Sequence, residues 1–156
     1  MIRKTILSLS AAGLVSIVAY EGYTDRAVIP VPGDVPTIGF GTTGGVKMGD
    51  RITPPVALAR ALKDVETFEG ALRQCVTVPL HQHEYDALVS FSYNVGSGAF
   101  CGSTLVKKLN AGDYPGACNE LLRWRFVAGR DCSKPGSGCA GLWKRRQDEN
   151  ARCLGE

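Results

Sequence analysis

Glu21 stands where a carboxylate is costly. It follows an uncharged, largely apolar stretch, Thr5 to Tyr20, headed by Arg3 and Lys4. An ionisable group at the edge of a membrane-length segment is expensive to keep unless it has work to do. Gly22 and Tyr23 come next, then a passage rich in Pro and Gly, then Thr37-Ile38-Gly39-Phe40-Gly41-Thr42-Thr43. A Gly-rich turn of that kind can set a second polar group opposite the carboxylate, the arrangement that acid–base chemistry requires. Asp34 is the sole carboxylate between Asp25 and Asp50 and therefore the candidate partner. Its setting, Pro32-Gly33-Asp34-Val35-Pro36, is also one in which Asp serves purely to shape a turn. Asp25 lies one turn from Glu21, too close to oppose it across a cleft.

The segment that precedes Glu21 reads as an export signal, with a basic start and an apolar middle. As a helix its sixteen residues from Thr5 to Tyr20 would measure ~24 Å against ~30 Å of hydrocarbon. Ser8, Ser10, Gly13 and Ser16 dilute it. The segment is apolar enough to be exported and to rest in a bilayer, and polar enough to leave one. A cleavage after Ala19 would put Glu21 at a mobile end, whereas a catalytic acid needs a rigid mount. Residues 1–20 are therefore expected to be retained as a helix, followed by one catalytic domain over 21–156.

A chain of 156 residues can bury a real core, and its composition excludes a disordered or fibrous protein. The net charge of +3 is mild and suits a polyanionic partner without demanding one. Aromatic residues are not interleaved with the basic ones as nucleic-acid binding would need. Cys75, Cys101, Cys118, Cys132, Cys139 and Cys153 make an even set on an exported chain, which implies disulfides in an oxidising compartment. The pairing is open, although Cys132 and Cys139 flank a short Gly/Ser/Pro loop that a local bridge would close. Zinc is the weaker reading: there is no C-x-x-C pair, and His81 and His83 stand together with no third ligand placed by spacing. They are expected to be solvated, and no cofactor or metal is expected.

The density of Pro and Gly from Glu21 to Val46 forbids a long helix there and suggests a small hairpin lobe over about 24–46. From Thr53 the pattern becomes helical. Thr53-Pro54-Pro55 is a helix start, and Val56, Leu58, Leu62, Val65 and Phe68 recur at helical spacing. Further helices are expected over His83–Tyr93, from Ser103 to about Asn110, over Tyr114–Val127 and over Leu142–Cys153. The sum is α+β, mainly helical, with a helical lobe over about 53–156. Asn94 could cap its helix or turn its amide to a cleft. Trp124 reads as core, and Lys144-Arg145-Arg146 as either a solvated face or an anion-binding one.

Five segments in register resemble the phage-type lysozymes, glycoside hydrolase family 24. They are Glu21-Gly22; Thr37-Ile38-Gly39-Phe40-Gly41; Ala87 to Gly96 with its Asn94-Val95-Gly96 ending; Ser103-Thr104-Leu105 with Leu109 to Gly112; and Trp124 with Gly141-Leu142, Arg145-Arg146 and Glu149. The resemblance implies a lysozyme-like fold and hydrolysis of the β-1,4 bond between N-acetylmuramic acid and N-acetylglucosamine in peptidoglycan, by a monomer. It implies Glu21 as the general acid and Thr37 as the residue that orients water. The family's usual Asp positions hold Pro30 and Val31 here, which leaves Asp34 for the second carboxylate. Where the family often has His, this chain has Thr42, a candidate for substrate binding along with Asn94. The diluted N-terminus is similar to that of signal-arrest-release endolysins, exported to the host periplasm while tethered to the inner membrane. Residues 1–20 contain no cysteine, so a thiol switch in the anchor is absent. The style in which the released segment refolds into the enzyme fits better.

Overall fold

The computed structural model describes residues 6–156. The chain divides into two units, one of residues 11–67 and the other of residues 6–10 with 68–156.

The first unit opens with helix α1, Ala11–Glu21. The expected helix from Thr5 to Tyr20 is thus shorter and starts later: residues 6–10 are not helical, because side chains rather than a preceding turn take up their backbone groups. Thr5 and the residues before it lie outside the described residues. Among the described residues no helix is long and apolar enough to cross a membrane. Strands β1, Thr24–Val28, and β2, Thr37–Gly39, pair antiparallel within the hairpin lobe the sequence predicts, with Thr24 opposite Gly39 and Val28 opposite Thr37. Ala27, Ile38, Val46 and Ile52 form a small apolar cluster beneath them. Helix α2 starts at Pro54, as the Thr-Pro-Pro sequence requires, and runs to Cys75.

In the second unit, helix α3, Gln82–Val95, is buried along most of its length, with Leu88, Val89 and Phe91 almost wholly out of solvent. Short helices α4, Ser97–Cys101, and α5, Thr104–Asn110, follow. The Ser103 side chain caps α5 by accepting from the Val106 N–H at 3.2 Å. Helix α6, Tyr114–Glu120, is shorter than predicted. It tightens into a 3₁₀ turn over Leu121–Arg123, and the chain then forms a hairpin of β3, Phe126–Val127, and β4, Arg130–Asp131. The physical reason lies in Ala128 and Gly129, which both take positive φ, 48° and 77°. Two such residues make the tight turn whose twist suits a hairpin. Helix α7, Ala140–Leu154, closes the chain.

Three disulfides staple this unit: Cys75–Cys101, Cys118–Cys153 and the predicted local ring Cys132–Cys139. The first two close loops of 26 and 35 residues. On chain-entropy grounds each such bridge is worth about 3–4 kcal/mol.

Candidate active site

Glu21 is the last residue of α1 and is half-buried. Its carboxylate lies against the turn that follows β2. A Cβ placed on Gly41 would come within 3.2 Å of Glu21 Oε2, and Gly41 has a φ of +87°. Both facts reserve that position for glycine. The turn itself is closed by two backbone bonds, Ile38 N–H to Thr42 O at 2.9 Å and Thr42 N–H to Ile38 O at 3.0 Å. Gly39 permits a second close approach. A Cβ there would stand 2.9 Å from Ala57 Cβ on α2, so the turn rests directly on that helix.

Thr42 is buried, and its hydroxyl donates to Asp64 Oδ2 at 2.5 Å. The structure therefore gives the predicted binding residue a tie to α2 that the sequence did not reveal. Nothing in the spacing singled out Asp64. Thr37, at the start of β2, donates its hydroxyl to Val35 O at 3.2 Å and is partly open to solvent. Asp34 is exposed, and its Oδ1 accepts from the Val35 N–H at 2.8 Å. It forms the local turn that its sequence context suggests. Glu21, Asp34, Thr37 and Thr42 thus belong to one unit, and the Thr37–Thr43 turn brings Gly41 to the carboxylate of Glu21.

Asn94 belongs to the other unit, one residue before the end of α3. Its Oδ1 accepts a hydrogen bond from Arg146 Nη2. The Arg146 guanidinium also donates to Trp124 O at 2.9 Å and to Glu149 Oε2 at 2.7 Å, and lies over the Phe91 ring. Arg145 meets Glu149 Oε1 at 2.9 Å and donates to Ser90 O at 2.9 Å. Both arginines and Glu149 are buried, so neither a solvated face nor an anion-binding one describes Arg145 and Arg146. Lys144 alone keeps that outward position, paired with Asp148. Burial lowers the pKa of Arg146, and the charge of Glu149 opposes that shift. The signal available in the sequence was the spacing of Arg145 and Arg146 to Glu149 along one helix face.

Trp124 packs edge-on against Phe91, with centroids 5.2 Å apart, as a core residue would. It also lines a cavity of about 360 Å³ with Asn94, Phe126, Leu142 and Arg146. His81 is exposed, as expected. His83 is not solvated on both sides: its Nδ1 lies 3.1 Å from Arg152 O and Cys153 O, at the end of α7.

The chain is mainly helical with small hairpins and sets a glutamate against a Gly-rich turn, and its family makes it a lysozyme-type glycoside hydrolase. A family model described as phage lysozyme matches residues 18–149, and the chain belongs to that family. It is 40% identical over 147 residues to an endolysin of Acyrthosiphon pisum secondary endosymbiont phage 1, covering 93% of this chain and 97% of that one. A SAR-endolysin of Pseudomonas phage phiKMV is 39% identical, covering 92% and 87%. Among solved structures, the muramidase domain of SpmX from Asticaccaulis excentricus superposes with a TM-score of 0.84 at 30% identity, covering 94% of this chain and 97% of that one.

Proposed function

We propose that this protein is a muramidase that cleaves the β-1,4 bond between N-acetylmuramic acid and N-acetylglucosamine, with Glu21 as the general acid. The observation that supports the reading is the placement of Glu21 Oε2 3.2 Å from where a Cβ on Gly41 would stand. It sets the carboxyl at the end of α1 against the turn that carries Thr37 to Thr43. Glu21 gives its proton to the glycosidic oxygen as the bond from that oxygen to the muramic acid C1 breaks. Water, oriented by the Thr37 hydroxyl, adds at C1, and Asp34 accepts its proton. Thr42 serves by fixing the turn through Asp64, and Asn94 is assigned to contact with the glycan.

A second reading is favoured by one observation: Asp34 Oδ1 is engaged by the Val35 N–H within its own turn. In a lytic transglycosylase no second carboxylate is needed, because the 6-hydroxyl of the muramic acid attacks C1 in place of water. Mass spectrometry of digested wall separates the two. Reducing ends support hydrolysis, and anhydro-muramic ends refute it. A turbidity assay with Glu21→Gln and Asp34→Asn tests the roles. Lysis by folded Glu21→Gln at the wild-type rate would sink the assignment.

The name of the phiKMV relative and the diluted apolar stretch before Glu21 support export to the host periplasm with a transient membrane tether through residues 1–20. In that form the mount of Glu21 is in the bilayer and the enzyme is idle. Leucine in place of Ser8 and Ser16 is expected to hold the protein in membrane and delay lysis; unchanged timing would refute the tether.

A further inference from the structure

Residues 7–10 are held by hydrogen bonds to side chains of α2 and α3. Leu9 N–H donates to Glu69 Oε1 at 2.7 Å, and Ser10 N–H donates to Asp86 Oδ1 at 3.0 Å. The Ser10 hydroxyl donates to Asp86 Oδ2. Arg73 Nη2 donates to Leu7 O at 3.0 Å, and Gln82 Nε2 donates to Ser8 O at 2.9 Å. The two carboxylates are 7% and 5% exposed. Gln82 and Asp86 are bonded to each other, and Tyr85 donates to Glu69 at 2.8 Å. Burial first, then the bond to Glu69 and its charge, raise the pKa of the Tyr85 phenol, so it remains a donor. Leu7 also lines an apolar cavity of about 420 Å³ with Leu72, Val76 and Leu80.

We propose that Glu69, Asp86, Arg73 and Gln82 form an intramolecular receptor for the backbone of residues 7–10 that competes directly with the bilayer for this segment. The proposal rests on the tethered form described above. Within hydrocarbon every backbone group must be satisfied inside the helix. A membrane helix through this segment would bond Leu9 and Ser10 N–H to carbonyls four residues earlier. It would also direct the Leu7 and Ser8 carbonyls to amides four residues later. These are the same groups that the receptor binds, so the two arrangements exclude each other. Hydrogen bonds that a carboxylate accepts or a guanidinium donates are the strong kind. Docking also gives Leu7 an apolar wall in exchange for lipid. The released state is thereby favoured by chemistry specific to residues 7–10, independently of how polar the rest of the segment is.

The test uses the full chain, expressed and separated into membrane and soluble fractions, with two paired variants. Glu69→Gln with Asp86→Asn weakens the acceptors, and Arg73→Met with Gln82→Leu removes the donors. Each pair is expected to raise the membrane-to-soluble ratio about tenfold. Hydrogen exchange on the soluble protein gives the second readout: protection at the Leu9 and Ser10 amides should fall while that in α5 holds. Membrane-bound wild type with neither pair shifting the ratio would refute the receptor alone. Uniform loss of protection through α5 with an unchanged ratio would also refute it, since the four residues would then serve only the fold. A wild type never found in membrane at any stage would refute the tether and the receptor with it.

Discussion

The carboxylate of Glu21 and the α-carbon of Gly41 face each other so closely that a methyl group on Gly41 would stand 3.2 Å from Oε2. The end of a helix and the middle of a turn meet there, with no side chain between them. Gly41→Ala is therefore expected to harm the enzyme twice. The +87° φ makes alanine strained by about 1–3 kcal/mol. The added methyl pushes the carboxyl aside by a few tenths of an ångström, which should cost rate by less than the about 10²-fold of a 1 Å misplacement. Turbidity kinetics and thermal melting on the same preparation separate the two effects. A variant that melts early but lyses normally would show that the contact is structural only.

Thr42 donates to Asp64 from within the fold, so the hydroxyl matters more than the shape. Thr42→Val keeps the volume and orphans the Asp64 acceptor, with an expected loss of about 1–3 kcal/mol in urea unfolding. Thr42→Ser should recover most of it. Equal stability of the valine variant would remove Thr42 from its proposed positioning role.

The pairing of Glu149 with Arg145 and Arg146 is buried on both sides. Glu149→Gln leaves two guanidinium groups in the interior without a counter-charge, which should cost about 3–5 kcal/mol. Equilibrium denaturation measures this directly. A loss under 1 kcal/mol would mean that water reaches the site.

Asp131 is expected to make the second hairpin sensitive to acid. The Ser133 hydroxyl, bonded to its Oδ1 at 2.7 Å, is the main cause that lowers its pKa below the usual carboxylate value; the Ser133 backbone N–H and Arg125 add to it. A carboxyl with a lowered folded pKa stabilises the fold above its unfolded pKa of about 3.9 and loses that contribution as the pH falls through the folded value. The protection factors of the amides over residues 126–133, corrected for intrinsic exchange, should fall on acidification below about pH 4. In Asp131→Asn this acid limb should vanish; a persistent limb would assign it to another carboxyl.

The local elements were largely legible. Thr53-Pro54-Pro55 marked the start of α2, Ser103 capped α5, and the alternation around Thr37-Ile38 marked a strand. The failures have physical causes. The sequence Ala128-Gly129 is a poor advertisement for a hairpin, because alanine rarely takes positive φ, and so the helical pattern from Tyr114 overruns the true end of α6. The glycines at 96 and 98 concealed α4. Arg145 and Arg146 looked like surface charge because a one-letter string does not show that Glu149 and Ser90 wait inside to receive them.

The sequence by itself determined the chemistry available. It placed one glutamate after an apolar segment, glycines where a turn must approach closely, and hydroxyls beside them, and these identities are local. Only the tertiary structure decided which partners those groups meet. Gly41 faces Glu21 across 20 residues of chain, Thr42 reaches Asp64 on α2, and Ser10 binds Asp86 at a separation of 76 residues. Hydrogen bonds and close contacts act over a few ångströms of space, and it is the folding of the intervening chain that brings such distant residues within that range.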